Sequence, residues 1–268
     1  MNILLAILSL LITADILNTI TLDTTLFISA AVVATFMAGG NIANDIFDLR
    51  TDKINRPNRP LVSGSISIKL SVSLAIILFV TGVFFTLFLN TSARTMALAM
   101  ILPMLLLYTP VFKRLPLIGN VMVSVLLAMV FIFSEIALTD EMNKMWFPAG
   151  LAFGLTLIRE LVKDMEDISG DEKAGMKTFP IRFGMEASFY LLISITVILC
   201  VYALIPYFTL RFGFVYFLLL VLGVEIPLLF ALYWLSKKIT PLRLKTVSMI
   251  LKFCTFMGMM VIWSISLY

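Results

Sequence analysis

Two groups of aspartates with the same spacing are the residues of this chain best suited to chemistry. The first group includes two asparagines and lies at the end of an apolar stretch: Asn41, Asn44, Asp45, Asp48 and Asp52. At roughly 100° per residue, these side chains fall within about a quarter turn of a helix. The second group repeats the separations of three and then four residues: Asp164, Asp167 and Asp171. Two acidic helix faces with one spacing indicate a site for divalent metal ions.

The ligand types near these aspartates narrow the choice of metal. The chain has no histidine, and its two cysteines, Cys200 and Cys254, lie inside apolar stretches. Oxygen ligands without histidine or cysteine favour magnesium over transition metals, and the lack of histidine argues against haem ligation. Magnesium keeps part of its coordination shell for water and substrate phosphate. Two acidic faces with magnesium between them therefore predict a diphosphate as the third partner.

Basic residues accompany the acidic groups along the chain: Lys53, Arg56, Arg59, Lys113, Arg114, Lys163 and Lys177. A diphosphate needs nitrogen donors as well as metal to disperse its charge, so we interpret Arg59 and Lys113 as diphosphate contacts. Arg159 and Lys163 lie one helical turn apart, where they suit the phosphate of an acceptor substrate. Tyr108 is a candidate to line a cavity and face a developing cation.

The rest of the chain predicts membrane-spanning helices. Hydrophobic residues make up 61% of it and charged residues 13%, about half the charged share of a soluble domain. Backbone groups in lipid must be hydrogen-bonded within their own segment, so apolar runs of this length should be helices. Residues 1–268 are predicted to form one all-α integral membrane domain with about nine spans, at 3–17, 26–45, 68–89, 95–112, 117–138, 146–162, 187–208, 213–235 and 247–267.

The distribution of lysine and arginine predicts the orientation. Fifteen of the twenty basic residues lie in one set of alternating connections and three in the other. This bias places the first set, both acidic groups and the amino terminus in the cytosol, and the carboxyl terminus outside. It is also the preferred explanation for four basic residues far from the acidic groups: Lys237, Lys238, Arg243 and Lys245. We expect a multi-pass protein of the cell membrane, with membrane lipid but no nucleic acid among its partners.

Taken together, these motifs resemble the UbiA superfamily of intramembrane prenyltransferases. The similarity covers about residues 41–184 and consists of NDxxDxxxD, NRPxxSG, YxxxxKR from Tyr108 to Arg114, DxxDxxxD and a later KT. It implies a helix-walled central chamber open sideways to lipid. It also implies one Mg²⁺ held by Asn44, Asp45, Asp48 and Asp52, and another held by Asp164, Asp167 and Asp171. Members usually carry an arginine shortly before an asparagine in the first helix, and the arginine is missing before Asn2.

The resemblance also implies a reaction. The blocks RELVKDMEDISGD and PLIGNVMVS are most similar to the members that form ether lipids, which transfer a geranylgeranyl group from its diphosphate to the hydroxyl of geranylgeranylglyceryl phosphate. Ionisation of the allylic diphosphate would precede capture by the hydroxyl. The catalytic residues would then be Asp45, Asp48, Asp167 and Asp171. Both substrates would be bound by Asn41, Lys53, Arg59, Tyr108, Lys113, Arg114, Arg159 and Lys163.

Two other functions remain open at this point. The acceptor of the same chemistry could be aromatic, such as a quinone precursor, a chlorophyllide or haem. A protein of another class, a membrane carrier with a carboxylate cation site, would place its ionisable residues near the middle of the bilayer. The aspartates here lie at helix ends on one side, which favours an enzyme.

Overall fold

A computed structural model describes residues 2–19, 24–209 and 212–268, and no strand occurs within these ranges. The α-helices are α1 (Asn2–Ile16), α2 (Thr24–Phe47), α3 (Leu49–Asn55), α4 (Ile68–Thr86), α5 (Thr91–Met96), α6 (Leu102–Tyr108), α7 (Ile118–Thr139), α8 (Trp146–Glu166), α9 (Ile168–Lys173), α10 (Phe179–Thr209), α11 (Phe214–Leu220), α12 (Ile226–Lys237) and α13 (Pro241–Trp263). One-turn π-helices join α5 to α6 (Ala97–Ile101) and α11 to α12 (Val221–Glu225). The all-α prediction is confirmed.

Within the described ranges, each of the nine predicted spans corresponds to a helix or to two helices joined by a π turn. Seven of these segments are long and apolar enough to cross a membrane, and α1 is a shorter apolar helix. The exception, α8, carries charged side chains in its last two turns, so its average hydropathy is low. The protein is thus a multi-pass helical membrane protein.

Two predicted helix ends were wrong, and a third was close, for local reasons. The seventh span was predicted to begin at residue 187, and the long helix within α10 begins just after Gly184, whose φ of 86° separates it from a short helix that starts at Phe179. The ninth was predicted from residue 247, but α13 begins six residues earlier, where the Thr240 hydroxyl accepts from the Arg243 amide at 3.3 Å. The sixth was predicted to end at residue 162, but α8 continues to Glu166, because its charged last turns face a polar pocket.

The centre of the bundle is α8, which packs against α7, α10 and α13. Two glycines on α8 allow the close approach of α10: a methyl group at Gly150 would lie 2.4 Å from the Tyr202 hydroxyl, and one at Gly154 would lie 2.6 Å from Leu199. At the end of the bundle away from the two acidic groups, the Trp263 indole donates to Asp15 at 3.0 Å and ties α13 to α1. The predicted site residues on α8 therefore lie on a helix that has neighbours on several sides.

Glu135 fixes the connection from α7 to α8. The Asn143 and Lys144 amides donate to Glu135 Oε1 at 3.1 and 2.7 Å, and the Met145 amide donates to Oε2 at 2.9 Å. Glu135 is almost fully buried. A single carboxylate thus satisfies three backbone N–H groups just before α8 begins.

Replacing Glu135 with alanine should therefore destabilise the protein by roughly 3 kcal/mol, because three backbone amides lose a buried, charged acceptor. The unfolding temperature of the detergent-solubilised protein measures the effect. The unfolding temperature of Glu135→Gln should lie between those of the wild type and Glu135→Ala. The exposed neighbour Glu141 provides the control, since its alanine variant should unfold near the wild-type temperature. Equal stability of the Glu135 and Glu141 variants would contradict this role.

Candidate active site

The two acidic groups meet at one end of the bundle because short helices continue α2 and α8. The Asp48 amide donates to the Asn44 carbonyl at 2.9 Å and the Asp52 amide donates to the Asp48 carbonyl at 2.8 Å, so the helical path runs from α2 into α3. The same continuation carries α8 into α9, where the Asp171 amide donates to the Asp167 carbonyl at 3.0 Å. α3 packs against α9. Two segments more than 100 residues apart in sequence thus form one acidic surface.

A polar pocket of about 670 Å³ lies between these elements. Eight of the predicted site residues line it: Asp48, Asp52, Tyr108, Lys113, Lys163, Asp164, Asp167 and Asp171. Its other lining residues were not among the predicted site residues: Thr51, Arg56, Leu115, Gly119, Asn120, Glu160, Met176 and Thr178. The pocket thus combines carboxylates from both acidic groups with basic side chains.

Lys113 is the cation held closest to the first acidic group. Its ammonium donates to Asn44 Oδ1 at 3.0 Å and forms an ion pair with Asp48, and the Asn44 amide donates to Asp48 Oδ2 at 2.8 Å. Gly119 at the start of α7 makes this position possible, since a methyl group there would lie 3.0 Å from the Lys113 Cα. The short turn between α6 and α7 therefore holds Lys113 over the pocket.

Arg59 binds the outer side of the first acidic group. Its Nη1 lies 2.6 Å from Asp45 Oδ1 and 2.6 Å from Asp52 Oδ2. Asp52 is buried and lines the polar pocket, whereas the Asp45 side chain is 41% exposed and lines none of the cavities described here. The five residues predicted to share one face therefore divide: Asp48 and Asp52 line the pocket, Asn41 and Asn44 line a neighbouring cavity, and Asp45 lies in this outer ion pair.

Two side chains that were not among the predicted site residues hold the second acidic group. Arg56 Nη2 lies 3.2 Å from Asp167 Oδ2 and joins the loop after α3 to the end of α8. The buried Asn120 side chain donates to Asp164 Oδ2 at 2.9 Å. Two features of the sequence could have indicated them. Arg56 lies in the repeated NRP of residues 55–60, and Asn120 is a polar residue in the first turn of an apolar span.

A row of charges on α8 leads away from the pocket. Buried Glu160 accepts from Arg159 at 3.1 Å and from Lys163 at 3.3 Å. Lys163 lines the polar pocket, while Arg159 lines a separate apolar chamber. The structure thus separates the two bases that were predicted to bind one acceptor phosphate, although Glu160 links them.

Asp171, on α9 beyond the membrane-spanning part of α8, has a raised pKa. Burial, with the nearby Asp167 carboxylate adding to it, raises its pKa to about 6. A proton therefore competes with any cation at this carboxylate below about that pH, and the competition weakens as the pH rises.

Three apolar or mixed cavities extend from the polar pocket toward the bundle interior. The neck, about 720 Å³, shares Tyr108, Lys113, Glu160 and Lys163 with the polar pocket and adds Asn41 and Asn44. The large chamber, about 810 Å³, lies among α1, α7, α8, α10 and α13. The small chamber, about 460 Å³, lies between α2, α7 and the π turn after α5. Leu127 lines the neck and both chambers, so the cavities meet beside it.

One predicted substrate contact lies outside the cavities, and another falls outside the described side chains. Lys53 is exposed and lines none of these cavities. Arg114 ends a short 3₁₀ turn, and its side chain lies outside the described part of the structure. Their roles remain predictions.

The donor atoms of the polar pocket fit magnesium. They are carboxylate oxygens from Asp48, Asp52, Asp164, Asp167 and Asp171, and the side-chain oxygen of Asn44 lies beside Asp48 in the neck. Within the described residues, no three such carboxylates come close enough to hold an ion by themselves. Magnesium needs only one or two carboxylates when water and substrate phosphate complete its shell, so a site open to a diphosphate is the arrangement expected for it.

Comparison with known proteins identifies the class. The model of the UbiA prenyltransferase family matches residues 3–261, and the chain therefore belongs to this family of membrane prenyltransferases. Among solved structures, that of a UbiA homolog from Aeropyrum pernix in its apo form shares the fold at a TM-score of 0.78 and 17% identity, covering 97% of this chain and 94% of that one. A UbiA homolog from Archaeoglobus fulgidus bound to DMAPP and Mg²⁺ has a TM-score of 0.68 at 18% identity, covering 97% of this chain and 96% of that one.

Within the family, the similarity points to one kind of enzyme. The digeranylgeranylglyceryl phosphate synthase of Sulfurisphaera tokodaii is 39% identical over 70% of this chain and 67% of the relative. The synthase of Methanosphaera stadtmanae is 30% identical over 83% of this chain and 80% of the relative. A solved structure of digeranylgeranylglyceryl phosphate synthase has a TM-score of 0.76 at 29% identity, covering 99% of this chain and 92% of that one.

Proposed function

We propose that this prenyltransferase transfers a geranylgeranyl group from its diphosphate to the hydroxyl of geranylgeranylglyceryl phosphate, in a magnesium-dependent reaction of ether-lipid synthesis. One observation carries the proposal: carboxylates of both acidic groups and three basic side chains line one pocket that continues, through a neck, into apolar chambers. A diphosphate with a long apolar tail has this combination of properties. The relatives are named digeranylgeranylglyceryl phosphate synthases, which supports geranylgeranylglyceryl phosphate as the acceptor.

The polar pocket would bind the diphosphate. Lys113, Arg56 and Lys163 supply the direct cationic contacts. Magnesium, when bound by aspartates of the two groups, would neutralise charge that develops on the leaving diphosphate. The allylic C–O bond breaks and its electron pair leaves with the diphosphate. The acceptor hydroxyl oxygen then bonds to the allylic carbon, and its proton passes to a carboxylate or a diphosphate oxygen.

Two apolar chambers provide space for two isoprenoid chains. Both meet the neck beside Leu127, below the polar pocket. We assign the acceptor to the large chamber, because Arg159 is the charged residue among its described lining residues and suits a phosphate that enters an otherwise apolar space. The donor chain is then left with the small chamber. An aromatic acceptor without phosphate would offer no anionic group to Arg159.

The polar pocket lies at the end of the bundle that carries most lysines and arginines. The bias of basic residues toward the cytosol supports a site that faces the cytosol, with the amino terminus inside and the carboxyl terminus outside. A cell membrane location is part of the same proposal.

An acceptor screen tests the function. The purified protein in nanodiscs receives labelled geranylgeranyl diphosphate with geranylgeranylglyceryl phosphate or with an aromatic quinone precursor, each with and without magnesium. We expect an ether-linked product only with the phosphorylated glycerol lipid and only with magnesium. Faster prenylation of the aromatic acceptor would refute the assigned substrate.

Replacing Arg159 with glutamine should lower kcat/KM for the phosphorylated acceptor by roughly 10- to 100-fold, the loss of one charge-assisted hydrogen bond. KM for the prenyl diphosphate should change little, because Arg159 lines the large chamber and the donor chain is assigned to the small one. Arg159→Lys should recover part of the loss. An equal loss for both substrates would argue against an acceptor site at Arg159.

A further inference from the structure

Thr178 has a buried hydroxyl without a hydrogen-bond partner, and it lies in the lining of the polar pocket. The residue is 7% exposed, and its Oγ1 neither donates nor accepts a hydrogen bond. Buried hydroxyls elsewhere in this chain usually bond to a carbonyl four residues earlier, as Ser124 does to Asn120 at 2.7 Å and Ser188 to Gly184 at 2.8 Å. A native protein rarely leaves such a group unsatisfied unless a bound molecule pairs with it.

The usual structural role for this hydroxyl does not apply. Thr178 immediately precedes α10, a position where threonine caps the helix by accepting from the second or third amide. The second residue of α10 is Pro180, which has no amide hydrogen, and the third amide does not bond to Thr178. The hydroxyl is therefore available to a molecule in the pocket.

The backbone holds Thr178 firmly beside the second acidic group. Gly175 has a φ of 74°, which turns the chain back after α9. The Met176 amide then donates to the Asp171 carbonyl at 2.9 Å, and the Thr178 carbonyl accepts from the Arg182 amide at 3.1 Å. The hydroxyl thus belongs to a pre-positioned loop, on the wall of a pocket that also contains Lys113 and Lys163.

We propose that Thr178 binds the prenyl donor by donating its hydroxyl hydrogen to an oxygen of the diphosphate. A hydroxyl is a suitable donor there because the pocket already contains several carboxylates, and a neutral donor to an anionic oxygen adds no charge. The assignment rests on the proposed place of the diphosphate. It adds a contact from an element outside both acidic groups.

The test compares Thr178→Val, which keeps the shape and removes the hydroxyl, with Thr178→Ser, which keeps the hydroxyl. Thr178→Val should raise KM for the prenyl diphosphate by about 10-fold, the size expected for one hydrogen bond to a charged group, and leave KM for the acceptor unchanged. Thr178→Ser should remain near wild type. The ligand-free Thr178→Val protein should unfold no earlier than wild type, because the lost hydroxyl had no partner.

Binding without turnover gives an independent measurement. Magnesium pyrophosphate should raise the unfolding temperature of the wild-type protein and of Thr178→Ser by more than that of Thr178→Val, each compared with its own ligand-free state. Ser29 on α2 is the matched control, since its Oγ is also buried and unpartnered and it lines none of the cavities described here. Ser29→Ala should respond to pyrophosphate as the wild type does.

The outcomes separate this inference from the proposed function. If Thr178→Val keeps the wild-type KM and the wild-type pyrophosphate response, the hydroxyl binds only water and the inference is overturned. Should Thr178→Val be too unstable to purify, Thr178→Ala is measured by the same two assays with the same criteria. The proposed diphosphate site itself fails only if Asp48 and Asp167 variants also keep normal activity and pyrophosphate binding.

Discussion

Replacing Asp48 with asparagine should lower kcat/KM for the prenyl diphosphate by about a thousandfold or more. Asp48 lines the polar pocket and is ion-paired with Lys113, so asparagine keeps the shape but loses the charge that holds cations. A metal ion stabilises the transition state by several kcal/mol, and each 1.36 kcal/mol corresponds to about tenfold in rate. Steady-state kinetics with saturating magnesium measure the loss.

Asp167 provides the second half of this prediction. It lines the same pocket from the other acidic group and is held by Arg56 at 3.2 Å, so Asp167→Asn should cause a loss of similar size. The double variant should be little worse than either single one, because residues that serve one transition state lose function as a unit. Independent sites would instead give losses that multiply.

A matched control and a binding measurement complete this test. Asp140 lies between α7 and α8, at the other end of the bundle, with a φ of 58°, a conformation that asparagine adopts readily, so Asp140→Asn should behave as wild type. Binding of Mn²⁺ in the presence of pyrophosphate, followed by electron paramagnetic resonance, should weaken in the Asp48 and Asp167 variants. Near-normal turnover by both would exclude the proposed metal ligands.

Replacing Lys113 with methionine should have the second largest effect, a fall in kcat of roughly 10²- to 10³-fold. Removal of one donor aimed at developing charge typically costs this much. Methionine keeps most of the length and apolar stem of the side chain and removes the ammonium that contacts Asn44 and Asp48. Single-turnover rates with saturating substrates measure the chemical step.

The same substitution should strengthen cation binding by the substrate-free protein. Lys113 neutralises Asp48 in the structure, so its loss leaves a carboxylate whose charge attracts a metal ion. Turnover and Mn²⁺ affinity should therefore change in opposite directions. Lys113→Arg should retain part of the activity, and Lys245→Met, at an exposed position on α13, should change neither quantity. A simple unfolding defect would lower both.

Local sequence patterns predicted the helices well because lipid imposes a local rule. Each apolar run must satisfy its own backbone hydrogen bonds, so the positions of the spans follow from composition alone. The start of α13 at Pro241 was missed because it depends on a single cap, the hydroxyl of Thr240. The sixth span was predicted to end too early, before the charged end of α8, for a related reason. Taken alone, these charged residues resemble a loop, and only the surrounding pocket explains why they are helical.

The sequence by itself determined the class of fold, the two acidic groups and the chemistry they suit, because these depend on residue type and on spacings within one or two helical turns. Only the tertiary structure decided which side chains share a cavity. It joined Arg56 to Asp167 and Asn120 to Asp164, separated Arg159 from Lys163, and turned Asp45 toward Arg59. It also brought Thr178, which belongs to the KT motif but had been given no role, to the pocket wall. Such contacts depend on how distant helices pack, and no periodicity along the chain records that packing.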